Sequence, residues 1–211
     1  MSTVLEHAEM SGQSKRVQTH APEPALQPVL RLITVEDYYR MGEAGIFDDD
    51  GQVELFQGRI YKLSPKNPMH SATVDTAGDY LRERVGKRAI VRTQEPIRFN
   101  NLSEPEPDIA VLNPREDRYS KAHPTPEDCL LLVEVSLSTL KYDREEKGAT
   151  YAAAGVLQYL ILNLTTRELE DHREPSPEGY RYKHLLRIGE SFNLVAFPET
   201  KIKVGDLLPP Q

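Results

Sequence analysis

Three short stretches hold the residues best suited to chemistry. Asp108 opens "PDIAVL", Glu134 interrupts the apolar run "CLLLVEVS", and Lys147 lies in "DREEKGATY". A carboxylate inside an apolar strand loses hydration, so Glu134 needs a paired cation, a metal or a raised pKa. A structural salt bridge to an arginine is the plainer alternative. If the two apolar runs are neighbouring antiparallel strands, the start of one lies beside the end of the other and the two carboxylates meet. Close carboxylates repel unless a cation sits between them, and oxygen ligands of this kind suit Mg²⁺ or Mn²⁺. Asp143, Lys147 and Tyr151 stand at i, i+4 and i+8 of a helical pattern, so they share one face. If that face looks toward Glu134, Lys147 brings a positive charge to a site of two acids and a metal, an arrangement that can hydrolyse phosphodiesters.

Each of these residues also has a plain structural reading. Asp143 and Lys147 could form an exposed i,i+4 pair, and Asp143 could cap its helix with Glu146 in a D-x-x-E box. Asp108 after Pro107 could be an ordinary acid at a strand start. Glu54, in the first strand of "QVELFQGRIYKLS", could add a carboxylate to the site or occupy an exposed alternate position. His70 could be a satisfied core or cap histidine, or stand beside the metal. Tyr151 could brace the site, touch nucleic acid, or pack. The basic stretch "RERVGKRAIVR", with Arg82, Arg84, Lys87, Arg88 and Arg92, offers phosphate contacts or serves the C-terminal dipole of a helix.

These side chains need a scaffold, and the sequence predicts one. Thr34 followed by acids starts a short helix that Gly45 stops. Two alternating runs around Gln57-Gly58 predict a hairpin. His70, Val74, Ala77, Leu81 and Val85 line one face of a helix ending at Gly86. "AIVRTQEPIRF", "PDIAVLN" and "CLLLVEVS" predict three successive strands, and "DREEKGATYAAAG" then "VLQYLILNL" predict a helix and a parallel strand. "RELEDHRE", "GYRYKHLL" and "SFNLVAFP" add shorter strands. The expected class is α/β (α+β): a mixed central sheet flanked by helices, with additional hairpins.

The 211 residues, 38% of them hydrophobic, suffice for one domain, expected over residues 29–211 after a disordered tail over residues 1–28. No apolar run approaches a membrane span and the first residues lack the apolar core of a signal peptide, so the chain is expected to be soluble and cytoplasmic. Cys129, the single cysteine, excludes an internal disulfide and reads as a small buried hydrophobe. A net charge of −7 disfavours a simple DNA-binding module; nucleic-acid binding would need a local basic face or metal ions.

Taken with their surroundings, "TVEDYY", "VELFQGRIYKLSP", "EPEPDIAVL" and "LLVEVSLSTLKYDREEKGATYAAAGVLQYLIL" resemble the Uma-two family, restriction endonuclease-like proteins within the PD-(D/E)xK nuclease superfamily. The likeness runs from about Thr34 to Leu208. It implies a nuclease core of three antiparallel strands extended by a helix and a further strand, and metal-dependent cleavage of DNA. It assigns metal binding to Asp108 and Glu134 and the catalytic lysine to Lys147. Here the residue two after Glu134 is Ser136 where the superfamily has lysine, so the lysine is expected to have moved to the helix. A homodimer is expected as well, because two sites cut the two strands of a duplex most simply. The competing expectation is a nuclease-like scaffold that binds nucleic acid or a protein partner without cutting.

Overall fold

A computed structural model describes residues 29–63 and 65–210; the tail expected over residues 1–28 lies outside them. Helix α1 (Val35–Glu43) starts at the expected cap. Thr34 Oγ1 accepts from the Asp37 amide, and the Asp37 carboxylate accepts from the Thr34 amide. A hairpin follows, β1 (Val53–Phe56) and β2 (Arg59–Lys62), and then helix α2 (Pro68–Val85). Asn67 caps α2 through the His70 amide, Pro68 occupies its first turn, and Gly86 ends it at φ 57°.

A six-stranded sheet carries the rest. Its order is β3 (Ile90–Thr93), β4 (Ile109–Leu112), β5 (Cys129–Ser136), β6 (Gln158–Asn163), β7 (Glu168–Ser176), β8 (Gly179–Leu186). Only β5 and β6 pair in parallel, and they are joined by a helix, as the strand-helix-strand pattern predicts. That helix comes in three consecutive stretches: α3 (Leu140–Tyr142), a π-helical turn (Asp143–Lys147) and α4 (Gly148–Ala153). A small hairpin, β9 (Ser191–Asn193) with β10 (Lys201–Lys203), closes the fold. All these elements lie in the compact unit Leu32–Gln211. No helix among the described residues is long and apolar enough to cross a membrane.

Side-chain alternation gives the sheet two cores. On one face Ile109, Val111, Leu131 and Val133 pack with Val74, Ala77, Leu81 and Val85 of α2, the helical face expected from the sequence. On the other, Ala110, Leu132, Tyr159 and Ile161 pack with Tyr151 and Ala152 of α4. Cys129 is buried in this second core, and burial pushes its thiol up to about 12.

Two elements differ from the sequence expectation. "AIVRTQEPIRF" pairs only over Ile90–Thr93, because Gln94 turns the chain at φ 55° and donates its amide to the Pro107 and Asp108 carbonyls. Asp143 is not a helix cap: the helix begins at Leu140, so Asp143 sits inside it and the D-x-x-E box does not form.

The β1–β2 turn places both central residues in the left-handed region, Gln57 at φ 51° and Gly58 at φ 71°. The hairpin docks on residues 102–104 through Gly58 N–H to the Leu102 carbonyl, Gln57 N–H to Ser103 Oγ, and Glu104 N–H to the Leu55 carbonyl. A Cβ at Gly58 would lie 2.6 Å from Leu32 Cβ. Gly58→Ala is therefore expected to cost roughly 1–3 kcal/mol, read as a lower urea midpoint at unchanged slope. An unchanged midpoint would show that the turn does not sit against Leu32.

Candidate active site

The β4–β5 register brings Asp108 and Glu134 together. Ile109 pairs with Val133 and Ala110 with Leu132, so one further step sets Asp108 opposite Glu134. Alternation puts Glu134 on the same face as Leu132, under α4. Asp108 is fixed on three sides. Its Oδ2 accepts from the Val135 amide at 2.8 Å and lies 3.2 Å from His70 Nε2, while Oδ1 accepts from Gln94 Nε2 at 3.2 Å. Burial alone would raise the Asp108 carboxyl, but His70, the Val135 amide and Lys147 outweigh it and hold it below its ordinary value. Asp108 is thus set as an ionised, oriented carboxylate.

Lys147 reaches Glu134 from the helix. Its Nζ donates to Glu134 Oε1 at 3.0 Å, and the Tyr151 hydroxyl donates to the same oxygen at 2.9 Å. Four residues along a regular α-helix overshoot one turn by about 40°; the wider π turn lessens that drift between Asp143 and Lys147. The Asp143 carbonyl accepts from the Gly148 amide, closing the π turn, and from the Tyr159 hydroxyl at 3.1 Å. Gly148 permits this approach, since a Cβ there would stand 3.3 Å from the Asp143 carbonyl oxygen and 3.6 Å from the Tyr159 ring. Neither Asp143 nor Lys147 is the exposed partner of a surface pair; they are 3% and 6% exposed.

Glu54 completes the floor. It is 1% exposed, which overturns the exposed-position alternative: β1 is covered on both sides once the hairpin docks. Glu54 Oε2 accepts the Glu106 amide at 3.3 Å. Its buried Oε1 has no hydrogen-bond partner among the described residues and lies 3.8 Å from Lys147 Nζ. Glu54, Glu106, Asp108, Glu134, Asp143 and Lys147 all line one cleft of about 290 Å³. Among the described residues, five carboxylates thus face a single buried ammonium.

The charge balance follows. Burial would push Lys147 down, but Glu134, Glu54, Asp143 and Asp108 together raise it, so the ammonium stays charged. Glu134 is raised well above the carboxylate range by burial, with Lys147 opposing and Asp108, Asp143 and Glu54 adding to it. Burial likewise raises Asp143 and Glu106. Such a site has negative charge to spare.

All six residues expected at the site come together here: Asp108, Glu134 and Lys147 with Glu54, His70 and Tyr151. Tyr151 is fully buried, braces Glu134 and does not line the cleft. Sequence reasoning missed Gln94 and Glu106. Gln94 holds Asp108, and Lys66 Nζ holds Gln94 Oε1 at 2.7 Å. Their one sequence signal was position, immediately after one strand and just before another.

Among the described residues, no group of three or more His, Cys, Asp or Glu is arranged to hold a metal unaided. Mg²⁺ does not require one, since it commonly binds one or two carboxylates and keeps several waters. Asp108 and Glu134 would be the two carboxylates of such a set. Both hydrogen bonds to Glu134 fall on Oε1, leaving Oε2 without a donor among the described residues. The orphaned Glu54 Oε1 and the surplus of hard oxygen donors fit a divalent cation as well.

Residues 35–205 match the Uma2 family, described as "putative restriction endonuclease". Among solved structures, the chain is similar to a "putative nuclease belonging to DUF820" from Anabaena variabilis, with a TM-score of 0.63 at 15% identity, covering 83% of this chain and 97% of that one. At that identity the likeness shows the shared fold. No curated protein matches the sequence.

Proposed function

The chain belongs to the Uma2 family, and from that membership and the chemistry of its cleft we propose that it is a metal-dependent DNA endonuclease. The observation that carries this reading is the meeting of Asp108, Glu134 and Lys147 on one cleft floor, with Lys147 Nζ 3.0 Å from Glu134. Asp108 and Glu134 would hold Mg²⁺ or Mn²⁺. Bound there, the ion would polarise the scissile phosphate and lower the pKa of an attacking water. Lys147, kept charged by its acidic neighbours, offsets the negative charge that builds on the phosphate oxygens. His70, Gln94 and the Val135 amide keep Asp108 ionised and aimed, and Tyr151 fixes the Glu134 carboxylate. Two copies acting on the two strands of a duplex complete the proposal.

One feature favours a second reading, a nuclease-like scaffold that binds without cutting. Lys147 already satisfies Glu134, as a structural counter-ion would. Mg²⁺ calorimetry and plasmid cleavage separate the two. The nuclease reading expects Mg²⁺ binding that weakens in Asp108→Asn, together with nicking or linearisation that EDTA stops. Cleavage by Asp108→Asn at the wild-type rate, or no cleavage of any DNA form with Mg²⁺ or Mn²⁺, would sink it.

A further inference from the structure

The basic stretch at the end of α2 divides in two. Arg84 and Arg88 turn to the C-terminal region, Arg84 donating to the Lys201 carbonyl and Arg88 pairing with Glu199. Arg82 and Lys87 instead line a cavity of about 460 Å³, which Arg115 and Arg118 enter from the loop between β4 and β5. No aspartate or glutamate among the described residues lines it, although the chain carries a net charge of −7. The dipole at the end of α2 accounts for Arg82 and Lys87. It does not account for two arginines brought there by another segment.

The loop is preorganised. Asp117 grips Arg115 with both oxygens, at 2.8 and 2.7 Å, and accepts the Tyr119 amide. The Arg115 guanidinium stacks 4.4 Å from the Tyr119 ring centroid, and the Tyr119 hydroxyl donates to the Asn113 carbonyl. This frame holds Arg118 and Tyr119 in the left-handed region, at φ 50° and 62°, where residues other than glycine are uncommon. Asp79 pairs with Arg82 and Asp117 with Arg115. Lys87 and Arg118 have no ion-pair partner among the described residues, so two positive charges remain for a ligand.

We propose that Arg82, Lys87, Arg115 and Arg118 form a phosphate-binding site separate from the carboxylate cleft. Asp117 already holds the Arg115 fork, so the Arg118 guanidinium offers its fork to a pair of phosphate oxygens and Lys87 adds a point charge, while Arg82 and Arg115 line the same cavity. A cavity of this volume is of the size that holds a small organic ligand, which favours an esterified phosphate over the bare ion. Asp108 precedes β4 and Pro114 follows it, and the four strand residues between them span about 13 Å at about 3.3 Å per residue. That strand alone matches about four base pairs at 3.4 Å each. The phosphate is therefore assigned to the backbone of the nucleic acid being cut, a choice that rests on the nuclease reading; a free nucleotide presents the same chemistry.

Binding tests this without relying on turnover. Lys87→Gln/Arg118→Gln and Lys87→Glu/Arg118→Glu are compared with the wild type for affinity to a labelled DNA duplex across a salt series, and to adenosine 5′-monophosphate by calorimetry. Thermal melts verify that both variants fold. Expected are a duplex affinity about tenfold weaker on neutralisation and weaker still on reversal, with a log K against log salt slope smaller by about two. Loss of nucleotide binding with duplex affinity unchanged would also support the site, with a free nucleotide as its source. Wild-type affinities for both ligands in both variants, or no binding of either ligand by the wild type, would overturn it. Plasmid cleavage judges the nuclease reading separately: variants that cut and bind as the wild type does overturn this site and leave that reading standing.

Discussion

Lys147→Met is expected to destabilise the fold by roughly 3–5 kcal/mol at neutral pH and to remove cleavage. Among the described residues, the ammonium is the one buried cation on a floor of acids. It lies 3.0 Å from Glu134 and 3.8 Å from Glu54, whose Oε1 has no hydrogen bond among the described residues to replace it. A methionine fills similar volume but leaves those carboxylates uncompensated. The folded-state pKa of Lys147 is raised, so its contribution is complete below the unfolded value and persists until the pH passes the folded one. The loss therefore spans the neutral range. It shrinks on acidification, as Glu134, held above the ordinary carboxylate range, takes up a proton and no longer needs the ammonium. Urea denaturation of both proteins at pH 7 and near pH 5 measures this. Equal stability at pH 7 would mean that Lys147 does not neutralise the buried acids.

The parts of the site legible in the sequence follow from local rules. The short apolar runs in "PDIAVL" and "CLLLVEVS" predict two strands, and once they pair antiparallel the meeting of Asp108 and Glu134 is a matter of register. Lys147 was legible by its spacing from Asp143 and Tyr151 and by its family resemblance. What escaped depends on contacts between distant segments. For Glu54 the sequence left the site and an exposed position both open, since its hairpin alternates like an exposed one; its carboxylate is buried against the Glu106 amide and Lys147, which distant segments bring to it. The D-x-x-E spacing at Asp143 imitates a cap. The helix instead begins at Leu140, and the Tyr159 hydroxyl meets the Asp143 carbonyl within a π turn. Gln94 adopts a positive φ that no local pattern marks, ending β3 early and delivering its amide group to Asp108. The basic cavity likewise joins residues 82 and 87 to residues 115 and 118, a juxtaposition made only by folding.

Glu134→Gln is expected to reduce cleavage by on the order of a hundred- to a thousandfold while leaving the protein no less stable at pH 7. Glutamine keeps the shape and retains an oxygen for the Tyr151 hydroxyl, and it removes one negative charge from a floor with several to spare. The folded pKa of Glu134 is raised, so whatever stability its protonated form contributes is complete below the unfolded value, about 4.3. That contribution is lost as pH rises through the folded value. Glutamine stays neutral throughout, so its advantage over the wild type is absent in acid and grows toward neutral pH. Denaturation midpoints across that range, beside plasmid cleavage at fixed Mg²⁺, separate function from structure. An acid retained for activity costs stability and its removal costs turnover. An acid retained as a counter-ion to Lys147 would behave in the opposite way, and a Glu134→Gln protein that unfolds more easily at pH 7 would assign Glu134 to that structural role.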